Sequence, residues 1–97
     1  MPRPAKLSPA ELETALAALP EWTIRDGKLH RAFRFADFDQ AFGFMTRAAH
    51  VAAAMNHHPE WSNVYSRVDV SLTTHDAGGI TGLDVDLARS MNELAEG

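Results

Sequence analysis

Three histidines carry most of the chemistry that this sequence could perform. His57 and His58 are adjacent, and His75 follows at the end of a predicted strand, shortly before a Gly-Gly pair. An imidazole titrates near about pH 6.5, and two neighbouring imidazoles resist being protonated together, so one can donate a proton while the other accepts one. This combination suits general acid–base catalysis, which typically contributes about 10²- to 10⁴-fold in rate. The alternative is that these histidines only lie in loops or cap a helix.

A metal site is a competing interpretation of the same histidines, with Asp76 or Asp84 as a further ligand. The HExxH spacing of zinc enzymes is absent, and the chain has no cysteine to supply a thiolate. The pair at 78–79 is not a dinucleotide-binding motif, because no GxGxxG pattern is present. It predicts instead a strand-to-helix turn that needs a positive φ. No serine stands in a nucleophile elbow.

The nearby carboxylates and tryptophans also have a structural interpretation each. Asp84 stands three residues after Thr81, which predicts a capping box at the start of the last helix. Glu60 could be a solvated loop carboxylate. Trp22 and Trp61 are either core residues or a stacking wall for a flat ring.

The composition narrows the class of protein. The 97 residues predict a single domain, 1–97, of which 1–6 is expected to be a flexible terminus. The net charge is -4 and no basic block is present, which argues against direct binding to nucleic acid. The chain has neither the apolar run of a signal peptide nor the roughly 20 apolar residues of a membrane span, so the cytoplasm is the expected location. A chain this short has a thin stability margin, which oligomerisation would supplement.

Caps and hydrophobic periodicity predict the elements that position these residues. The run SPAE at 8–11 is a capping box that starts a helix, and Pro20 stops that helix. The predicted strands are 21–25, 28–35, 61–65 and 68–73, with the first hairpin turning at 26–27 and the second at 66–67. Thr81 starts the last helix. The order predicts an α+β fold: a four-stranded antiparallel sheet with three helices on one face, arranged α-β-β-α-β-β-α.

The helix before the adjacent histidines is predicted to begin after Asp37 or Asp39 and to run to about Met55. Asn56 is the expected left-handed terminating residue, and Pro59 pushes the residue before it out of the α region. Helical spacing predicts an apolar stripe made of Phe38, Phe42, Met45, Ala49 and Ala52. The many alanines of this helix would allow close approach of another element, such as the same helix of a second subunit.

Taken together, these residues resemble one known family, the pterin-4a-carbinolamine dehydratases. The resemblance rests on the runs HHPEWSNVY at 57–65, VDVSL at 68–72 and TTHDAGGIT at 73–81. The run AFGFMTR at 41–47 and the segment around Trp22 are also similar to the family. The similarity extends from about Leu7 to Leu94, and the joint pattern is far more specific than any one of its parts.

The resemblance implies an enzyme that removes water from 4a-hydroxytetrahydropterin to give quinonoid dihydropterin. It implies catalytic roles for His57, His58 and His75, no metal, and no cofactor, because the pterin is the substrate. The substrate-binding residues that it implies are Trp22, Pro59, Glu60, Trp61, Thr74, Asp76 and Asp84. Family members often carry Glu four residues before the first motif histidine, where this chain has Ala53. Glu60, Asp84 or water would then take over the role of that carboxylate.

The resemblance also implies partners. A homodimer or homotetramer is expected, together with a functional link to an aromatic amino-acid hydroxylase whose pterin cofactor the reaction recycles. An animal member of the family also serves as a dimerisation cofactor of a homeodomain transcription factor. The alternative function is therefore a non-catalytic, dimerising binding module for a partner protein.

Overall fold

The computed structural model describes residues 5–96, so residues 1–4 of the predicted flexible terminus lie outside the described residues. Three helices alternate with two pairs of strands, in the predicted order, and one turn of 3-10 helix precedes the last helix. The elements are α1 (Pro9–Ala17), β1 (Thr23–Arg25), β2 (Lys28–Arg34), α2 (Phe38–Met55), β3 (Glu60–Val64), β4 (Arg67–Leu72), the 3-10 turn (His75–Ala77) and α3 (Gly82–Glu96).

The four strands form one antiparallel sheet in the order β1-β2-β4-β3, which confirms the predicted α+β fold. β4 is central, and its buried side chains Val68, Val70 and Leu72 alternate with partly exposed polar ones. Leu29 and Phe33 of β2 lie opposite Leu72 and Val68 and are buried with them. This face of the sheet packs against the helices, while the opposite face carries polar side chains.

The first helix begins at the predicted capping box. The backbone N–H of Glu11 donates to Ser8 Oγ at 3.1 Å, and Glu11 Oε1 accepts from the Ser8 N–H at 2.8 Å. The backbone hydrogen bond from Ser8 lowers the pKa of the Glu11 carboxyl, because it favours the ionised acceptor. Leu12, Ala15 and Leu16 pack this helix onto the core.

Helix α2 buries a face that shares only Ala52 with the predicted stripe. Its buried residues are Ala41, Phe44, Ala48 and Ala52. Of the predicted stripe, Phe38 and Phe42 are 43% and 54% exposed and stack on each other with ring centroids 5.6 Å apart. The helix carries phenylalanine and alanine on several sides, so periodicity alone does not select a face. The face that is buried allows α2 to pack closely against α3.

The second hairpin turns one residue earlier than the sequence predicts. Tyr65 adopts φ 51°, a left-handed conformation that is uncommon for an aromatic residue. Asn63 accounts for the turn, because its side-chain N–H groups donate to the carbonyls of Tyr65 at 3.1 Å and Arg67 at 2.9 Å. The strands are therefore Glu60–Val64 and Arg67–Leu72.

One end of the core is closed by polar side chains. Arg31 points to the helix side of β2, with its guanidinium carbon 4.1 Å from the centroid of the Phe33 ring. It donates to Asn92 Oδ1 at 2.5 Å, and the indole N–H of Trp22 donates to the same oxygen at 2.8 Å. Burial lowers the pKa of Arg31, against the opposing attraction of Glu21 and Glu96.

Among residues 5–96, none of the helices is both long enough and apolar enough to cross a lipid bilayer.

Candidate active site

The end of helix α2 aims the adjacent histidines. Asn56 adopts φ 52° and ψ 43°, the left-handed conformation predicted for it. Its N–H donates to the Ala53 carbonyl at 3.1 Å, and the N–H of His57 donates to the Ala52 carbonyl at 3.0 Å. This pair of bonds is the Schellman motif, which ends the helix and reverses the chain at a defined angle. The reversal turns His57 into the protein interior, whereas His58 remains exposed.

His57 is held by a buried carboxylate. Its side chain is 5% exposed, and its Nε2 lies 2.5 Å from Oδ1 of Asp84, which is fully buried. A carboxylate only accepts hydrogen bonds, so Nε2 carries the hydrogen and Nδ1 is left as the basic nitrogen of neutral His57. The other oxygen of Asp84 accepts from Thr74 Oγ1 and from the Thr81 N–H, both at 2.9 Å.

Asp84 therefore has two functions at once. It forms the predicted cap of helix α3, because it receives the Thr81 N–H at the start of that helix. It also orients an imidazole 27 residues earlier in the chain. The hydroxyls of Thr74 and Thr81 lie 2.8 Å apart and complete a fully buried polar network. Such a network defines one arrangement of its members, because a broken bond would leave a buried polar group unsatisfied.

The loop between β4 and α3 carries the third histidine. His75 begins the 3-10 turn, and Gly78 ends that turn at φ 75°. The predicted positive φ thus belongs to Gly78, whereas Gly79 lies against the side chain of Lys6. A Cβ on Gly79 would lie 2.8 Å from the side chain of Lys6, and the N–H of Leu7 donates to the Ile80 carbonyl at 2.9 Å.

The loop after α2 and the loop between β4 and α3 line one open cleft of about 180 Å³. His57, His58 and His75 all lie at this cleft. The cleft is lined by Asn56, His57, His58, Thr73, Thr74, His75 and Asp76. Of the residues implied to bind substrate, Thr74 and Asp76 lie in the cleft, and Asp84 lies behind it, bonded to His57 and Thr74. Pro59 follows His58 directly and fixes the exit of the chain towards β3.

The position of Glu60 was not predictable from the sequence. Its Oε2 lies 3.1 Å from His75 Nε2, and its Oε1 lies 2.6 Å from Lys28 Nζ. The hydrogen bond from Lys28, assisted by His75, lowers the pKa of Glu60 and keeps it an anionic acceptor. Glu60 also lines a second cleft of about 400 Å³ on the open face of the sheet. Only the strand pairing, which no local motif specifies, brings Lys28 to this carboxylate.

The structure places both tryptophans outside the histidine cleft. Trp22 is 3% exposed and packs edge-on against Phe33 with ring centroids 5.8 Å apart. Trp61 lies on β3, partly buried against the core, and lines the cleft on the open face of the sheet. The structural interpretation therefore accounts for Trp22, and Trp61 is a neighbour of Glu60 rather than a wall of the histidine cleft.

The arrangement offers imidazoles in three different settings. His57 is buried and fixed by Asp84, His75 is 78% exposed and bonded to Glu60, and His58 is exposed at the cleft. Among residues 5–96, no group of three or more His, Asp or Glu side chains is arranged to hold a metal ion. Imidazoles that face a common cleft can donate and accept protons on one small molecule near neutral pH.

Comparison with known proteins identifies the family. The family model described as "Pterin 4 alpha carbinolamine dehydratase" matches residues 5–94. A relative from Solibacter usitatus, named "Putative pterin-4-alpha-carbinolamine dehydratase", is 59% identical over 92 residues, which cover 95% of this chain and 97% of the relative. A relative of the same name from Bradyrhizobium diazoefficiens is 53% identical over 93 residues, covering 94% and 93% of the two chains.

A solved structure agrees with these relatives. The crystal structure of a "transcriptional coactivator/pterin dehydratase" from Brucella melitensis is similar with a TM-score of 0.89 and 49% identity, covering 93% of this chain and 98% of that one. Both the family model and the relatives span nearly the whole chain. The chain belongs to the pterin-4-alpha-carbinolamine dehydratase family and is a hydro-lyase.

Proposed function

We propose that this protein dehydrates 4a-hydroxytetrahydropterin to quinonoid dihydropterin by histidine general acid–base catalysis. The observation that carries this proposal is the convergence of His57, His58 and His75 on one cleft. The pterin is the substrate, and the proposed reaction needs neither a metal nor a cofactor.

The proposed reaction balances with two proton transfers. The C4a–O bond breaks while a proton is delivered to the leaving hydroxyl, and water departs. A proton is removed from the adjacent ring nitrogen, whose electrons form the new carbon–nitrogen double bond. An imidazole on each side of the reacting carbon can perform one transfer, and water later returns both to their starting state.

We assign the two transfers to His58 and His75 because they are the exposed imidazoles of the cleft. His57 is almost completely buried and has one nitrogen committed to Asp84, so it orients the substrate or shares a proton through Nδ1. We propose that Asp76, which lines the cleft, contacts the polar edge of the pterin, whereas the hydroxyl of Thr74 is committed to the buried network with Asp84. Family members often have a glutamate where this chain has Ala53. In this chain, Glu60 is the carboxylate that contacts His75.

The proposal is tested by kinetics on freshly prepared 4a-hydroxytetrahydropterin, with the uncatalysed rate subtracted. His58→Ala and His75→Ala should each lower kcat by about 10²-fold, the low end of the usual contribution of a general acid or base. His50→Ala is the matched control, because His50 is exposed on α2 outside the cleft. If both cleft variants keep the wild-type rate, the assignment of the site is wrong.

The physiological setting proposed is the recycling of the tetrahydropterin of an aromatic amino-acid hydroxylase, by a homodimer or homotetramer in the cytoplasm. The stacked, exposed pair Phe38 and Phe42 on α2 supports association with another chain. Light scattering of the purified protein checks this, with a monomer at all concentrations as the contrary result.

A second candidate is a non-catalytic dimerising module. It is favoured by the same exposed face of α2, and by the word "coactivator" in the description of the Brucella melitensis structure. Turnover separates the two candidates, because a module without catalysis should not accelerate pterin dehydration even when all three histidines are intact.

A further inference from the structure

We infer that Lys28 is a positioning residue for His75, acting through Glu60. This inference rests on the proposed function, because it concerns an imidazole that is assigned a proton transfer there. Lys28 lies on β2 and does not line the histidine cleft. It reaches the site only through the carboxylate that it shares with His75.

The two oxygens of Glu60 divide the contacts between them. Oε1 lies 2.6 Å from the Lys28 ammonium, and Oε2 lies 3.1 Å from His75 Nε2. Fixing one oxygen of a carboxylate restricts the rotation of the whole planar group, which therefore aims its second oxygen. Glu60 is itself 44% exposed, so without Lys28 its side chain would sample several rotamers.

His75 depends on this support because little else holds it. Its side chain is 78% exposed on a single 3-10 turn. Among residues 5–96, Glu60 is the side chain that bonds to its ring. His57 differs, since a hydrogen bond to the buried network of Asp84 and Thr74 fixes it. His75, one of the two residues proposed to transfer protons, is thus positioned by the exposed contacts from Lys28 to Glu60 and from Glu60 to His75.

Sheet topology explains how Lys28 on β2 reaches Glu60 on β3. β4 lies between β2 and β3, so the side chain of Lys28 spans β4 on the open face to meet Glu60 at the start of β3. The other charged or titratable groups that line this open-face cleft are Arg25, Asp26, His30 and Asp69. Asp69 Oδ2 lies 3.1 Å from Arg67 Nε as an ion pair, and His30 Nε2 lies 3.9 Å from Asp69 Oδ1, so these groups make contacts separate from those of Glu60.

The test compares three variants in the full chain. Lys28→Met removes the ammonium and keeps the apolar stem, whereas Lys28→Arg keeps the charge and a donor. Arg67→Met is the matched control, since it removes a cation and an ion pair from the same face without touching Glu60. Lys28→Met should lower kcat about two- to fivefold at unchanged KM, Lys28→Arg should restore most of the loss, and Arg67→Met should have no effect.

A second readout does not depend on turnover. The Glu60 carboxyl carbon, followed by NMR from about pH 3 to 7, should titrate at higher pH in Lys28→Met than in the wild type, because the largest cause of its lowered pKa is removed. Lys28→Arg should retain the wild-type midpoint. In a Glu60→Ala background, Lys28→Met should have no further effect on kcat, since the side chain through which it acts is gone.

Two failures remain distinguishable. A wild-type protein without dehydratase activity sinks the proposed function, and the NMR midpoint then decides whether Lys28 controls Glu60. If the enzyme is active and Lys28→Met keeps full kcat, the positioning role is overturned. The same holds if Lys28→Met lowers kcat as much in the Glu60→Ala background as it does alone. An unchanged Glu60 midpoint in Lys28→Met overturns it as well.

Discussion

At the scale of single residues, the histidines differ because their surroundings differ. His57 is hydrogen-bonded to a buried aspartate and is itself buried, while His58 and His75 are exposed at the cleft. The sequence alone does not reveal these different surroundings. It also predicts Asp84 as a helix cap, which is correct, but the contact of Asp84 with His57 depends on the tertiary packing of α3 beside the end of α2.

Replacing Asp84 should destabilise the protein more than any exposed carboxylate. In Asp84→Asn, one carboxylate oxygen becomes an N–H₂ group, so a donor faces either Thr74 and Thr81 or His57, all of which donate to the carboxylate. We expect a loss of about 2–4 kcal/mol in the free energy of unfolding, measured by urea denaturation.

Asp86→Asn is the matched control for that change. Asp86 lies two residues further on the same helix and is exposed, so the substitution should change stability by less than about 0.5 kcal/mol. Equal losses of unfolding free energy in Asp84→Asn and Asp86→Asn would show that the buried network does not stabilise the protein more than an exposed carboxylate does.

At the scale of elements, local signals predicted most of the boundaries. The SPAE capping box, the turn at 26–27, the left-handed Asn56 and the Thr81–Asp84 cap are all present. These features depend on residues close in sequence, which is why the sequence carries them. The buried face of α2 and the Tyr65 turn were predicted wrongly, because the first depends on what packs there and the second on the side chain of Asn63.

The terminating residue of α2 gives a prediction at this scale. Asn56→Ala removes the short polar side chain that lets asparagine adopt the left-handed conformation, which should cost about 1–2 kcal/mol and loosen the placement of His57 and His58. Activity should fall together with stability. Urea denaturation and dehydration kinetics measure the two effects.

Asn56→Gly serves as the control, because glycine adopts this conformation without strain. It should retain stability to within a few tenths of a kcal/mol. A loss in Asn56→Gly equal to that in Asn56→Ala would mean that the Asn side chain, rather than the backbone conformation, maintains the site.

At the scale of the whole molecule, the fold joins residues that the chain keeps apart. The adjacent histidines end a helix, His75 follows the central strand, and Glu60 begins an edge strand. The family resemblance implies that the histidines form one site, and in the structure all three line one cleft. The contacts of Lys28 and Arg31 were beyond prediction, since each depends on pairing across β2, β4 and the helix layer.

The central claim is that imidazoles from two distant segments act on the same pterin. The most direct measurement is a double-mutant cycle of kcat/KM on 4a-hydroxytetrahydropterin, using His58→Ala, His75→Ala and the double variant. If the two act in one reaction step, the double variant should lose little more than the worse single variant, which is far less than the product of the two losses. Losses that multiply, or single variants as fast as the wild type, would contradict a shared site.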